Sequence, residues 1–161
     1  MVCTFFGHKD TPKEIEPTSR ATLIALIENS DVTDFYVGNN GNFDAAVCRQ
    51  LESLAIVYPI NFSTVLVYVP KSKSENNNYT NAIIPEGIET VPKRFSISWR
   101  NRWMVQKSDI VVAYVTRSFG GAYQFMELAK KQNKPVINLS MFLDEKTNKA
   151  EYINYPRIAN I

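Results

Sequence analysis

The chain has 161 residues, of which 45% are hydrophobic and 21% charged, and this length and composition predict a single folded domain. A formal net charge of +2 is too small to argue by itself for nucleic acid or an anionic membrane as a partner. No apolar run reaches membrane-spanning length, and residues 1–13 lack the apolar core of a signal peptide, so we expect a cytoplasmic protein without a membrane partner.

In chain order, the first 70 residues show three strand patterns and two helix patterns. A strand over residues 2–6 precedes a helix that begins at Pro17 and ends near residue 29. A short strand over 35–37 is followed by a helix whose apolar residues repeat from 43 to 54. Residues 64–69 are rich in β-branched side chains and predict a central strand.

The second half of the chain begins with a polar stretch over residues 71–90. We expect it to form a binding loop or lid, because structureless segments of this length are uncommon inside compact domains. A cationic helix over 95–106 and a fully apolar strand over 110–115 come next. A helix over 122–132 and a last strand over 135–139 complete the pattern.

Five strands that alternate with four helices predict an α/β protein: a doubly wound, mainly parallel five-stranded sheet in a Rossmann-like three-layer sandwich. We expect one domain over 1–161, with its core in 2–140 and a C-terminal tail in 141–161 that lacks clear periodicity. Such sheets bind ligands outside the carboxyl ends of their strands. Three loops that carry glycines are predicted at that edge, over residues 7–10, 38–42 and 116–121.

Candidate ligand-binding residues lie in these loops and in the helices beside them. Backbone N–H groups at Gly120 and Gly121 suit an anion at a helix N-terminus, although a bare glycine pair also fits a plain strand-to-helix turn. Arg100 is favoured over Arg102 as a phosphate ligand, because guanidinium donates in a planar fork and the neighbouring tryptophans suggest burial. The other candidates at this edge are Gly7, His8, Gly38, Asn39, Asn40, Gly41, Asp44 and Glu127.

Several of these candidates have an ordinary structural alternative. Asp44 can complement the helix dipole, Glu127 can be a surface carboxylate, and His8 can be a polar loop residue. Cys3 and Cys48 fit small buried hydrophobic positions, and a single histidine argues against zinc. We therefore expect no metal and no cofactor.

The segment 94–139 resembles the motif region of the SLOG superfamily, which groups Lonely-Guy-type phosphoribohydrolases with DprA-like and related nucleotide-sensing proteins. Arg100 and Met104, followed by Ser108 and Asp109 before an apolar strand, are similar to the Lonely-Guy pattern of an arginine, a methionine four residues later and Ser/Ala-Asp. The glycine pair and Glu127 resemble the GGxGTxxE motif, although Tyr123 and Gln124 replace its third glycine and its threonine.

The resemblance extends loosely over residues 2–140 and implies a small stand-alone bacterial or phage member of the superfamily. In Lonely-Guy enzymes the matching arginine and glutamate serve N-glycosidic cleavage, which would give that role to Arg100 and Glu127 here. Similar SLOG domains occur in prokaryotic defence systems as nucleotide sensors. Related small members self-associate, so the resemblance implies a homo-oligomer, to which Tyr152 and Tyr155 of the tail could contribute.

We therefore predict that the protein binds a nucleotide-derived small molecule at the carboxyl edge of the sheet, as a sensor or a sequestering protein. The alternative is an enzyme that uses Glu127 and Arg100, either an N-glycoside hydrolase similar to nucleoside monophosphate phosphoribohydrolases or a deoxyribosyltransferase-like protein. A nucleic-acid accessory role, by analogy with DprA-like members, is a third hypothesis. The modest net charge counts against it.

Overall fold

The computed structural model describes residues 1–68 and 81–143, which contain a parallel six-stranded sheet with helices on both faces. The strand order is β4-β3-β2-β1-β5-β6. The strands are β1 (Val2–Gly7), β2 (Asp34–Val37), β3 (Asn61–Val65), β4 (Ala82–Ile83), β5 (Ile110–Tyr114) and β6 (Val136–Asn138). The α-helices are α1 (Glu16–Asn29), α2 (Asn42–Leu54), α3 (Lys93–Lys107) and α4 (Gly121–Lys131).

Side-chain alternation along the central strands divides the hydrophobic core into two layers. On one face, Phe5 of β1 and Phe35 of β2 pack under α1 and α2. On the other face, Phe6 of β1 and Val111 of β5 pack against α3 and α4. Strand β5 is buried at every position, as its continuous apolar sequence predicts for a strand covered on both sides. The predicted Rossmann-like three-layer sandwich is confirmed.

The sheet has six strands rather than the predicted five. The additional strand, β4, has only two residues and lies within the stretch that we expected to be a loop, where two residues give no readable alternation. The same stretch contains a 3₁₀ helix at Ile88–Thr90, and the rest of the expected lid, residues 71–80, lies outside the described residues. So do residues 144–161 of the tail, which include the tyrosines expected to support self-association.

The strand predicted over 64–69 begins earlier and is not central. Strand β3 covers Asn61–Val65 and lies second from one edge of the sheet, between β2 and β4. The polar residues Asn61 and Ser63, which are not fully buried, stand on either side of Phe62, so the start of the strand lacks the continuous apolar pattern that predicts it. None of the helices in the described part of the chain is long and apolar enough to cross a membrane.

Gly7 at the end of β1 allows the closest packing between the sheet and α2. A Cβ at this position would overlap the ring of Phe43, which is 1% exposed and cannot move outward. We expect Gly7→Ala to lower the free energy of unfolding by about 1–3 kcal/mol, the usual cost of overpacking a core. Urea denaturation measures it, with Gly121→Ala as control because no atom lies within 4 Å of its Cβ position. Equal stabilities of the two variants would contradict this packing argument.

Candidate functional site

A cavity of about 220 Å³ opens at the carboxyl edge of the sheet. The adjacent strands β1 and β5 end here, and the chain continues from β1 to β2 on one side and from β5 to β6 on the other, so the two connections leave in opposite directions. Ligand sites of open α/β sheets form at such switch points. The described residues that border the cavity come from β1 and the loop after it, the β2–α2 connection, the first turns of α2 and α4, α3, and the β5–α4 connection: Phe5, Phe6, Gly7, His8, Lys9, Gly38, Asn40, Asp44, Ile97, Arg100, Asn101, Arg117, Gly120, Gly121 and Ala122.

Arg100 lies at the inner wall of this cavity and is the largest fully buried side chain, with an exposed fraction of 1%. Its Nη1 donates hydrogen bonds to the backbone oxygen of Val65 at 2.8 Å and to Oδ1 of Asn39 at 3.2 Å. Its Nε has no hydrogen-bond partner among residues 1–68 and 81–143. Burial lowers the pKa of the guanidinium from its ordinary value, and the nearby Asp44 opposes that shift. Within the described residues, the side chain is therefore fixed at Nη1 while Nε remains an unused donor.

Asp44 borders the same end of the cavity from the first turn of α2. Its side chain is almost wholly buried, and Oδ2 accepts a hydrogen bond from the backbone N–H of Asn40 at 2.9 Å. Burial raises the pKa of the carboxyl, while the Asn40 N–H and the charge of Arg100 act in the opposite direction. A Cβ on Gly38 would overlap Oδ2 of Asp44 and lie 3.0 Å from Nη1 of Arg100. Only glycine at 38 lets both charged groups border this space.

His8 joins the loop after β1 to the loop after β5. Its Nε2 accepts a hydrogen bond from the backbone N–H of Thr116 at 3.1 Å, and the backbone N–H of His8 donates to the carbonyl of Tyr114 at 3.3 Å. A second link is the ion pair between Asp10 and Arg117, at 3.2 Å, which is exposed and therefore weak. Burial lowers the pKa of the imidazole, and the charge of Arg117 lowers it further. His8 is therefore neutral at neutral pH and acts as an acceptor that positions the β5–α4 loop.

Acidification should remove this acceptor. Because the folded pKa of His8 is lowered from its ordinary value of 6.5, its contribution to stability is present above pH 6.5 and lost as the pH falls through the folded pKa. We expect the unfolding free energy of wild type to fall more steeply between about pH 7.5 and pH 5 than that of His8→Gln, whose amide oxygen accepts without titrating. Denaturation curves at a series of pH values measure the difference. Parallel pH profiles for the two proteins would show that His8 has no such role.

Two exposed phenylalanines, each beside an arginine, lie at this edge of the sheet. Phe119, in the loop before α4, is 66% exposed, and Cζ of Arg117 lies 5.4 Å from its ring centroid. Phe95, in the first turn of α3, is 50% exposed, and Cζ of Arg94 lies 4.7 Å from its ring centroid. Arg117 borders the cavity on one side, and Ile97, two residues after Phe95, borders it on the other. Neither ring borders the cavity itself, but each lies two residues from a residue that does, so both belong to segments that reach the cavity.

Sequence reasoning missed the two exposed phenylalanines and the arginines beside them. The glycines in 116–121 drew attention to the loop, but a single phenylalanine or arginine in a loop carries no pattern of its own. Lys9 was likewise included only as part of a loop and not as a candidate residue, although it borders the cavity. The signal available in the sequence was the spacing of Arg117 and Phe119 immediately before the glycine pair.

The cavity brings together eight of the eleven predicted site residues: Gly7, His8, Gly38, Asn40, Asp44, Arg100, Gly120 and Gly121. Asn39 does not border the cavity, but its Oδ1 accepts a hydrogen bond from Arg100 and so helps to hold that side chain in place. Gly41, with φ of 126°, shapes the turn next to Lys9 without bordering the cavity.

Glu127 does not border the cavity. It lies along a second groove between α3 and α4 that adjoins the cavity at Gly120 and Gly121, and its Oε1 accepts from Nζ of Lys130 at 2.8 Å. Neither cysteine supplies a nucleophile, since Cys3 is buried and burial raises the pKa of Cys48 to about 11.

Comparison with solved structures identifies neighbours with the same fold. DNA processing protein A (DprA) from Streptococcus pneumoniae matches with a TM-score of 0.58 and 17% identity, over 83% of this chain and 48% of that one. DprA from Helicobacter pylori, whose structure is described as showing a single-stranded DNA binding mode, matches with a TM-score of 0.57 and 14% identity, over 84% of this chain and 63% of that one. The chain thus spans less than two thirds of either neighbour. No protein-family model matches it, and no curated protein matches its sequence.

These neighbours support the Rossmann-like fold and correct two predictions. The predicted small-molecule sensor or sequestering protein is contradicted, because a neighbour is a single-stranded DNA-binding protein, and the alternative N-glycoside hydrolase or deoxyribosyltransferase has no support among them. The expectation against a nucleic-acid partner was also wrong. It rested on net charge, which averages over the whole surface and hides how cations and aromatic rings are placed at one edge.

Proposed function

We propose that the protein binds single-stranded nucleic acid at the carboxyl edge of its sheet, with one nucleotide in the cavity and the adjoining strand across its rim. The observation that carries this proposal is the pair of exposed rings, Phe95 and Phe119, in the two segments that reach the cavity through Ile97 and Arg117. Proteins that bind single strands combine a cationic groove with aromatic side chains on which bases stack. An arginine above each ring keeps a positive charge next to each stacking surface.

The rim also offers groups that suit phosphate. Lys9 and Arg117 border the cavity as cations, and Gly120 and Gly121 lie at the N-terminus of α4 with no atom within 4 Å of either Cβ position. Backbone N–H groups at a helix N-terminus attract anions through their partial positive charge. A phosphodiester that crosses this rim would meet both kinds of donor.

The shape of the site favours a single strand over a duplex. A cavity of about 220 Å³ is smaller than the roughly 300 Å³ at which ligand pockets commonly begin, so it suits one unpaired nucleotide. A base inside a duplex would have to be unstacked and unpaired before it could enter, which costs a few kcal/mol. The likeness to DprA, one of whose structures is described in terms of single-stranded DNA, supports the same partner.

The proposal is tested by fluorescence anisotropy with labelled DNA. A length of about 12 nucleotides is within the usual range of single-strand site sizes. We expect the single strand to bind more tightly than the matching duplex. The logarithm of the affinity should fall linearly with the logarithm of salt concentration, with a slope of about −0.7 per phosphate contacted. No binding at low salt, or equal binding of strand and duplex, would contradict the proposed function.

A further inference from the structure

The inner end of the cavity holds two opposite charges that do not touch. Asp44 is 9% exposed and Arg100 is 1% exposed, and both border the space above Gly38. They form no direct ion pair, although burial acts against the charge of each. Both groups lie beside Gly38 without a direct ion pair, and a buried charge that lacks a close counter-ion is costly, so this arrangement points to a ligand that bridges them.

This end of the cavity does not suit a phosphate. A phosphate placed against Arg100 would also lie beside the carboxylate of Asp44, and like charges in a poorly solvated site repel strongly. The more exposed cations that border the cavity, Lys9 and Arg117, are better placed for a phosphate, although Arg117 is already paired with Asp10. The inner end therefore suits a neutral group that offers hydrogen-bond donors to Asp44 and acceptors to Arg100.

Among the nucleobases, guanine meets this requirement best. Its N1–H and N2 amino group are neighbouring donors that one carboxylate can accept together, while O6 and N7 are the acceptors that arginine prefers. Cytosine and adenine each offer one amino group, and thymine offers a single ring N–H. The apolar side chains of Phe6, Ile97 and Ala122 border the cavity and can cover the faces of a planar ring.

We propose that Asp44 and Arg100 select guanine as the base that enters the cavity, with Asp44 accepting from N1–H and N2 and Arg100 donating to O6 or N7. The inference rests on the proposed binding of single strands and adds a base preference to it. Asp44 is the specificity-determining residue, because the carboxylate distinguishes a donor pair from a single donor, whereas Arg100 can donate to an acceptor on any base.

The preference for guanine can be tested with the wild-type protein, so that no substitution disturbs the fold. Anisotropy titrations compare thymidine strands of about 12 nucleotides that carry one central dG, dA, dC or deoxyinosine. We expect the dG strand to bind about tenfold more tightly than the dA and dC strands, in the range of one well-formed bidentate contact. Deoxyinosine lacks only the N2 amino group, so the strand that carries it should lose several-fold of that preference.

Asp44→Asn tests the contribution of the carboxylate, with Glu52→Gln as matched control because Glu52 is an exposed carboxylate of the same helix that does not border the cavity. Asp44→Asn should bring the dG and dA strands to equal affinity, and Glu52→Gln should keep the difference. Wild-type binding that is equal for all four strands, or strongest for dA or dC, would overturn the guanine inference while leaving the proposed function in place. Absence of binding to every strand at low salt would overturn both.

Discussion

The double replacement Phe95→Ala, Phe119→Ala should weaken the binding of a single strand about a hundredfold, since stacking of a base on an aromatic side chain contributes roughly 1–3 kcal/mol. Both rings are at least half exposed, so the folded state should lose little when they are removed. The two single replacements should each weaken binding about tenfold and combine additively if the rings contact different bases. Anisotropy titrations of the four proteins measure these effects.

Ile56→Ala is the matched control for this pair. Ile56 is 87% exposed and equally apolar, but it follows α2 at the opposite, amino edge of the sheet. Its removal should leave the affinity unchanged. A loss of affinity in Ile56→Ala as large as that in Phe119→Ala would show that binding depends on general surface hydrophobicity and not on rings beside the cavity.

Arg100→Met should lower the free energy of unfolding by about 3 kcal/mol. The replacement keeps much of the side-chain volume but deprives Asp44 of its neighbouring charge. It also leaves the backbone oxygen of Val65 and the amide oxygen of Asn39 without this hydrogen bond. Each of these losses affects a group in or beside the core, where water replaces a lost donor poorly. Urea denaturation monitored by circular dichroism measures the loss.

Two further variants distinguish the possible causes of the stability loss in Arg100→Met. Arg102→Met removes an exposed cation two residues along the same helix and should change stability by less than about 0.5 kcal/mol. Asp44→Asn in the Arg100→Met background should recover part of the loss, because it removes the uncompensated charge. Full stability in Arg100→Met alone would mean that the buried guanidinium contributes nothing net to the fold.

The layered architecture could be predicted because the hydrophobic pattern determines it locally. Residues 110–115 are apolar throughout and could only be a strand covered on both faces, and the helical repeat from residue 43 to 54 gave α2 within one residue. Strand β4 could not be predicted in the same way. Its two residues are held by pairing with Thr64 and Val65, which is information that the local sequence does not contain.

The site could be predicted in part, for a similar reason. Glycine loops after strands converge at one edge in any parallel sheet, so His8, Gly38 and Gly120 were found from position alone. Glu127 was selected by motif resemblance, and it lies along a neighbouring groove, paired with Lys130. The positions of Asp44 and Arg100 beside Gly38 depend on how α2 and α3, on opposite faces of the sheet, reach the same edge, and no pattern in either helix encodes that.

The central claim is that single-stranded nucleic acid binds at the carboxyl edge of the sheet, and hydrogen exchange with and without a saturating single strand tests it most directly. The account predicts slower exchange in residues 7–10, 38–44 and 116–121, together with the first turn of α3. Residues 30–33, 55–60 and 132–135, at the amino edge, should exchange at unchanged rates. Protection confined to the amino edge, or no protection at a strand concentration that saturates binding, would contradict it.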